Sequence, residues 1–173
     1  MTCPLAGRRR VRNVFWVAFV ASASLSVLWA LASPIFSVPD EVAHATKAIA
    51  LMQGQVEGEQ AAGERHPVVD LPDDYSFSPM IHCFVHQPNM SAECATPLGT
   101  EGGLDAFGTW VSANNPLYYA LVGWPSLLLD GNTGIYAMRI ASALLSAVFL
   151  GWRCNSPSLH VGRPGCRPRS SSW

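Results

Sequence analysis

The sequence predicts an α-helical integral membrane protein, with two transmembrane helices flanking a large extracytoplasmic loop that carries membrane-surface helices. Three observations predict it. Charged residues are only 13% of the 173 positions, against roughly a quarter in soluble domains. Two apolar runs, Val14 to Phe36 and Ile135 to Trp152, carry between them a single charged residue, Arg139. The charges are also sorted along the chain. All 12 Asp and Glu lie between Asp40 and Asp130, where Lys47 and Arg65 are the only basic residues. Arg8, Arg9, Arg10, Arg12, Arg139, Arg153, Arg163, Arg167 and Arg169 lie outside that interval. Positive flanks stay cytoplasmic. The expected localisation is therefore the cell membrane, multi-pass, with a cytoplasmic N-terminus and the acidic middle outside.

Residues 1–13 form the basic cytoplasmic N-terminus. Residues 14–36 form the first transmembrane helix, since about 20 apolar residues cross a hydrocarbon core. Phe15, Trp16, Phe19 and Trp29 supply aromatics toward both ends, as an interfacial belt does. A cleaved signal peptide is the other reading, with Arg8 to Arg12 as its basic region and Ala30-Leu31-Ala32 as its cleavage site. The length of the run favours a retained anchor, and both readings put the acidic middle of the chain outside the cytoplasm.

Residues 37–134 form the extracytoplasmic loop. Its first surface helix lies near 38–53. Ser37 is a cap, Pro39 suits the first turn, and Asp40 and Glu41 match the positive end of the helix dipole. Val42, Ala45, Ile49 and Met52 recur at helical spacing and turn toward lipid or protein. Asp40, His44 and Lys47 fall on the opposite face. Gly54 stops the helix. Residues 55–108 are acidic and rich in Gly and Pro, with short extended pieces at Pro67-Val68-Val69 and Ile81-His82-Cys83-Phe84-Val85. Cys83 and Cys94 lie in the acidic middle, where oxidation is allowed. There they either close a short disulfide loop, worth about 3 kcal/mol, or stay two separate thiols.

A second surface helix lies near 116–129, opened by Asn114-Asn115-Pro116. Asp130 to Gly134 is a turn. Residues 135–152 form the second transmembrane helix, with Arg139 one turn in and snorkelling outward. Residues 153–173 contain no acid and no apolar run. They are a disordered cytoplasmic tail or, the preferred reading, an out-of-frame ending to a longer gene.

Several motifs together resemble a bacterial family of multi-spanning predicted membrane proteins of unknown function (domain of unknown function 2142). They are Val38-Pro39-Asp40-Glu41 with His44, Lys47 and Gly54-Gln55; Cys83 and Cys94; Asn114-Asn115-Pro116-Leu117-Tyr118-Tyr119; and Tyr136-Ala137-Met138-Arg139. The resemblance spans roughly residues 10–152. That family looks like the membrane glycosyltransferases of the C-type (GT-C) fold, which implies a partial GT-C-like architecture. In that fold an acidic residue soon after the first span acts in catalysis, and here Asp40 matches it.

The resemblance implies transfer of a sugar from a polyprenyl-phosphate carrier to an acceptor hydroxyl. The expected catalytic residues are Asp40, Glu41 and His44, with Asp40 taking the hydroxyl proton. Lys47 and Arg139 are the expected substrate-binding residues, on phosphate. Membrane lipid and a polyprenyl-phosphate sugar are the expected partners. No cofactor is expected, unless Asp40, Glu41 and His44 hold a divalent metal. C-type enzymes have many more spans, so this chain resembles the N-terminal part of such an enzyme and is expected to be inactive alone.

Plainer roles compete at each position. Asp40 and Glu41 also fit dipole compensation, His44 a solvated histidine, and Lys47 snorkelling toward head groups. Arg139 also fits a partner for the loop's acids, and Tyr118, Tyr119 and Trp124 fit interface anchors. The competing function is a small two-pass membrane protein whose outer loop binds a partner without catalysis. No phosphate-binding glycine loop, nucleophile elbow or zinc motif occurs. The basic residues flank apolar runs without interleaved aromatics, which argues against nucleic acid.

Overall fold

A computed structural model describes residues 6–38, 40–77, 83–84, 86–87, 89–99 and 105–155. Four helices dominate: α1 (Ala6–Ala32), α2 (Glu41–Met52), α3 (Pro116–Gly123) and α4 (Gly131–Asn155). Between α2 and α3 lies a two-stranded antiparallel sheet, β1 (Val68–Asp70) with β2 (Ala106–Gly108), in which Val69 faces Phe107. The chain divides into two compact units, residues 1–25 with 145–173, and residues 26–144.

In the first unit, segments of α1 and α4 meet at a glycine. A Cβ on Gly151 would lie 3.1 Å from ring carbons of Phe15, so a side chain there would make Phe15 give by a few tenths of an ångström. Phe15, Trp16 and Phe19 form an aromatic cluster on α1. Trp16, Val17 and Val20 remain exposed.

The second unit is built around α2. Its core joins Phe36, Val42 and Ile49 to Tyr75, Tyr119 and Met138. The expected apolar stripe does face inward, and Val42 and Ile49 pack on protein. The cap differs from expectation. The helix starts at Glu41, so Asp40, not Ser37, holds the N-cap position, and its carboxylate makes no cap bond. At the other end Gly54 adopts φ +87°, the left-handed conformation that ends a helix at little cost for glycine. Gln55 then bonds both backbone groups of Asp70, at 2.7 and 2.8 Å, and ties the end of α2 to β1.

Three further expectations are corrected. The expected turn at 130–134 is the start of α4, which begins at Gly131. Gly134 N–H already donates to Asp130 O, so the first helical turn closes there. Lys47 is not on a solvated face: it is 1% exposed. Its ammonium donates to the carbonyls of Val56 and Ser112, which satisfy it in the interior. Arg139 lies well inside α4 and does not snorkel, because a carboxylate and three carbonyls hold it.

Cys83 and Cys94 form a disulfide, with Cα atoms 6.1 Å apart. Of the second expected extended piece, Ile81, His82 and Val85 lie outside the described residues, as does most of the 153–173 tail. α3 is opened by Asn115, whose side chain accepts from Leu117 N–H at 2.9 Å, with Pro116 at the first helical position.

Candidate functional site

The loop joining α1 to α2 is fixed by one ion pair. The Arg139 guanidinium grips Glu41 in a two-pronged pair, through Nε to Oε1 and Nη2 to Oε2. Its remaining donors reach the carbonyls of Ala30 (2.9 Å), Ser33 (2.8 Å) and Pro34 (2.7 Å), at the end of α1. A cation at that end meets the negative pole of the α1 dipole. Glu41 Oε2 also accepts from Phe36 N–H at 3.0 Å. Both side chains are largely buried, and both are fully hydrogen-bonded, the condition for keeping charges out of water.

Beside this clamp opens a cavity of about 450 Å³, lined by residues from α1, α2, α3 and α4. All of its lining belongs to the second unit. Its walls are mainly apolar, with Trp29, Val122, Ile135 and Met138 among them. Its charged side chains are Asp40 and the paired Glu41 and Arg139, with His44 one turn further along α2, and Ser26, Tyr118 and Ser142 add hydroxyls elsewhere on the wall. Asp40 is exposed, and among the described residues its carboxylate has no bonding partner.

His44 is held more closely. Its Nδ1 lies 2.9 Å from Tyr119 Oη, and Asn114 Nδ2 donates to that same oxygen at 3.0 Å. The imidazole stacks on the Tyr119 ring, with centroids 5.9 Å apart and planes 15° apart. Trp110 meets it edge-on from another side. Near the cavity Tyr118 Oη pairs with Ser142 Oγ of α4 at 2.8 Å, which pins α3 to that helix.

The structure thus brings together Asp40, Glu41, His44 and Arg139, and leaves Lys47 out. Lys47 lines no part of the cavity, and burial pushes its ammonium below the usual lysine value against an opposing pull from Glu57. Sequence reasoning does not single out Tyr119 and Asn114 as site residues. Tyr119 is 75 positions from His44, and no short-range spacing links the two. Their membership of one motif with Leu117 and Tyr118 is the signal that points to them. Among the described residues no three His, Cys, Asp or Glu side chains converge as metal ligands. Both Glu41 oxygens are already engaged, so a divalent ion that used Glu41 beside Asp40 and His44 would have to compete with Arg139.

Two helices, Asn13–Ala32 and Gly131–Asn155, are long and apolar enough to cross a membrane, and little of either is buried within the molecule. They make this a mostly helical chain with two candidate membrane-spanning helices. The chain belongs to the family of predicted membrane proteins of unknown function (DUF2142), which matches residues 24–155. No curated protein and no solved structure matches it.

Proposed function

We propose that this protein spans the membrane twice, with a cytoplasmic N-terminus, and holds a lipid-linked sugar substrate at the end of its spans, in the manner of C-type glycosyltransferases. The observation that carries the reading is Asp40: an exposed carboxylate, without a bonding partner among the described residues, on the wall of a largely apolar cavity. A carboxylate so placed is free to take the proton of an acceptor hydroxyl as that oxygen attacks the anomeric carbon of a polyprenyl-phosphate sugar, whose bond to the phosphate oxygen breaks and releases polyprenyl phosphate. Glu41 has a different role from Asp40. Its two oxygens are committed to Arg139 and Phe36 N–H, so it fixes where α2 begins and thereby where Asp40 stands. Arg139 is a positioning residue for the same reason.

Because this chain is expected to be inactive alone, the test is sugar transfer from a radiolabelled polyprenyl-phosphate sugar in vesicles by a full-length relative, comparing wild type with the Asn variant of the residue that matches Asp40. Loss of a general base predicts a fall of roughly a hundredfold or more, with expression unchanged. Unaltered transfer would return Asp40 to dipole compensation.

A second reading is favoured by one observation. Leu117, Leu121, Trp124 and Leu128 are all exposed on α3 and the turn after it. In this reading the two-pass protein presents that face to a partner within or beside the membrane and performs no chemistry. It predicts that Asp40→Asn is silent and that Leu121→Ser abolishes co-purification of the partner.

A further inference from the structure

The cavity's hydrogen-bonding pattern restricts the headgroup it accepts. Resting on the reading of Asp40 above, we propose that the cavity takes the acceptor of that transfer and not its phosphate-bearing donor: an amphiphile with a neutral, polyhydroxylated headgroup, which His44 serves as a hydrogen-bond donor through Nε2.

The first argument is the direction of the bonds. Asn114 Nδ2 donates to Tyr119 Oη, so the Tyr119 hydroxyl proton is free to point at His44 Nδ1. With the hydroxyl as donor, the single proton of a neutral imidazole sits on Nε2, the ring nitrogen that bonds to none of the described residues. Tyr119 and Asn114 are positioning residues that set this tautomer.

The second argument is charge. The cavity is lined by two carboxylates and one guanidinium. The guanidinium is matched to Glu41 and three carbonyls, and Asp40 has no cationic partner among the described residues. Lys47, the lysine of α2, lies buried elsewhere. An anionic headgroup would meet Asp40 with no free side-chain cation among the described lining residues to offset the repulsion. A hydroxyl donates to Asp40, and a neighbouring oxygen accepts from His44. Positions 40 and 44 are one helical turn apart and both line the cavity, so one polyhydroxylated headgroup can meet both. Trp29, Val122 and Met138 supply the apolar wall for the attached chain.

Octyl glucoside and octyl phosphate are the probes, measured by equilibrium binding to the protein in phosphatidylcholine nanodiscs, with empty discs subtracted. Octyl glucoside is expected to bind saturably and octyl phosphate not to. Asp40→Asn and Tyr119→Phe should each weaken glucoside binding by roughly tenfold, as loss of one charge-assisted or tautomer-setting bond implies. Nitrogen NMR of His44, assigned with His44→Gln, should show the proton on Nε2 in wild type and a mixed state in Tyr119→Phe. Octyl phosphate binding as tightly as the glucoside overturns the neutral headgroup and leaves the lipid-linked reading standing. If neither probe saturates, both fall. A proton on Nδ1 in wild type, or glucoside binding unmoved by both variants, overturns the donor role.

Discussion

α2 and α3 lie side by side, and their chemistry is inverted relative to a water-soluble pair. α2 carries Glu41, His44 and Lys47 and is the more buried of the two. α3 carries no charge and leaves Leu117, Tyr118 and Leu121 exposed. In water this distribution would be costly on both helices. It becomes reasonable when each buried charge has a specific partner and the exposed face meets lipid. The comparison teaches that hydrogen-bond partners, not hydropathy, decide which of these helices forms the centre of the second unit.

The sharpest way to break the contrast is to remove a partner. Arg139→Ala leaves Glu41 buried and unpaired and orphans three carbonyls at the end of α1. The loss expected is roughly 3–5 kcal/mol, read as a fall in the unfolding midpoint in mild detergent. A loss as small as that of an exposed ion pair would mean that the clamp does not hold the unit together.

Lys47 gives the next largest effect. Lys47→Ala strands the carbonyls of Val56 and Ser112 and opens a cavity, at a cost of about 2–4 kcal/mol. It also carries a pH signature. The folded chain binds the Lys47 proton less tightly than the unfolded chain, whose lysine keeps the usual 10.5. Stability should therefore rise with pH as the depressed folded value is passed, up to about 10.5. In Lys47→Met that rise should disappear from denaturant titrations run across the alkaline range. Tyr75 acts with the opposite sign: burial, with Asp130 and Asp74 adding to it, pushes its hydroxyl up to about 12. The folded chain then holds that proton longer, and stability falls between about pH 10 and 12. Tyr75→Phe isolates the two contributions.

Gly123 sharpens the comparison at the contact itself. A Cβ there would lie 2.9 Å from Ala48 O and 3.3 Å from Ala48 Cβ, so α2 and α3 touch through their backbones. Gly123→Ala should push them apart at about 1–3 kcal/mol, and the loss should be visible as weakened His44–Tyr119 coupling in NMR. The smallest expected effect is at Asp40. Its side chain is exposed and unpaired, so Asp40→Asn should leave the unfolding midpoint unchanged to within about 0.5 kcal/mol. A large loss of stability would show that the carboxylate is a structural group after all.

Much of this architecture is legible along the chain. The apolar runs, the start of α3 at Asn115-Pro116 and the stop at Gly54 are written in local residue types. The apolar stripe of α2 is readable too, though not the groups that cover it. Spacing places the start of α2 too early, because Ser37 and Asp40 are both good capping residues and nothing local chooses between them. Residues 130–134 read as a turn because Gly131 and Gly134 look like breakers. In the fold the first adopts φ +51° and the second makes room for Tyr75 against α4. Of the expected site, Asp40 and His44 do reach the cavity, whereas Lys47 shares their helix and not their surroundings.

Sequence alone determined the class of protein, because hydropathy and the sorting of charge are properties of neighbouring residues and survive without any knowledge of contacts. Only the tertiary structure decided which charges are structural and which are available. Glu41 meets Arg139 across 98 positions, and Lys47 meets Ser112 across 65. A buried charge is set by the partner that the fold brings to it, and no pattern within the α2 segment encodes a partner so far away.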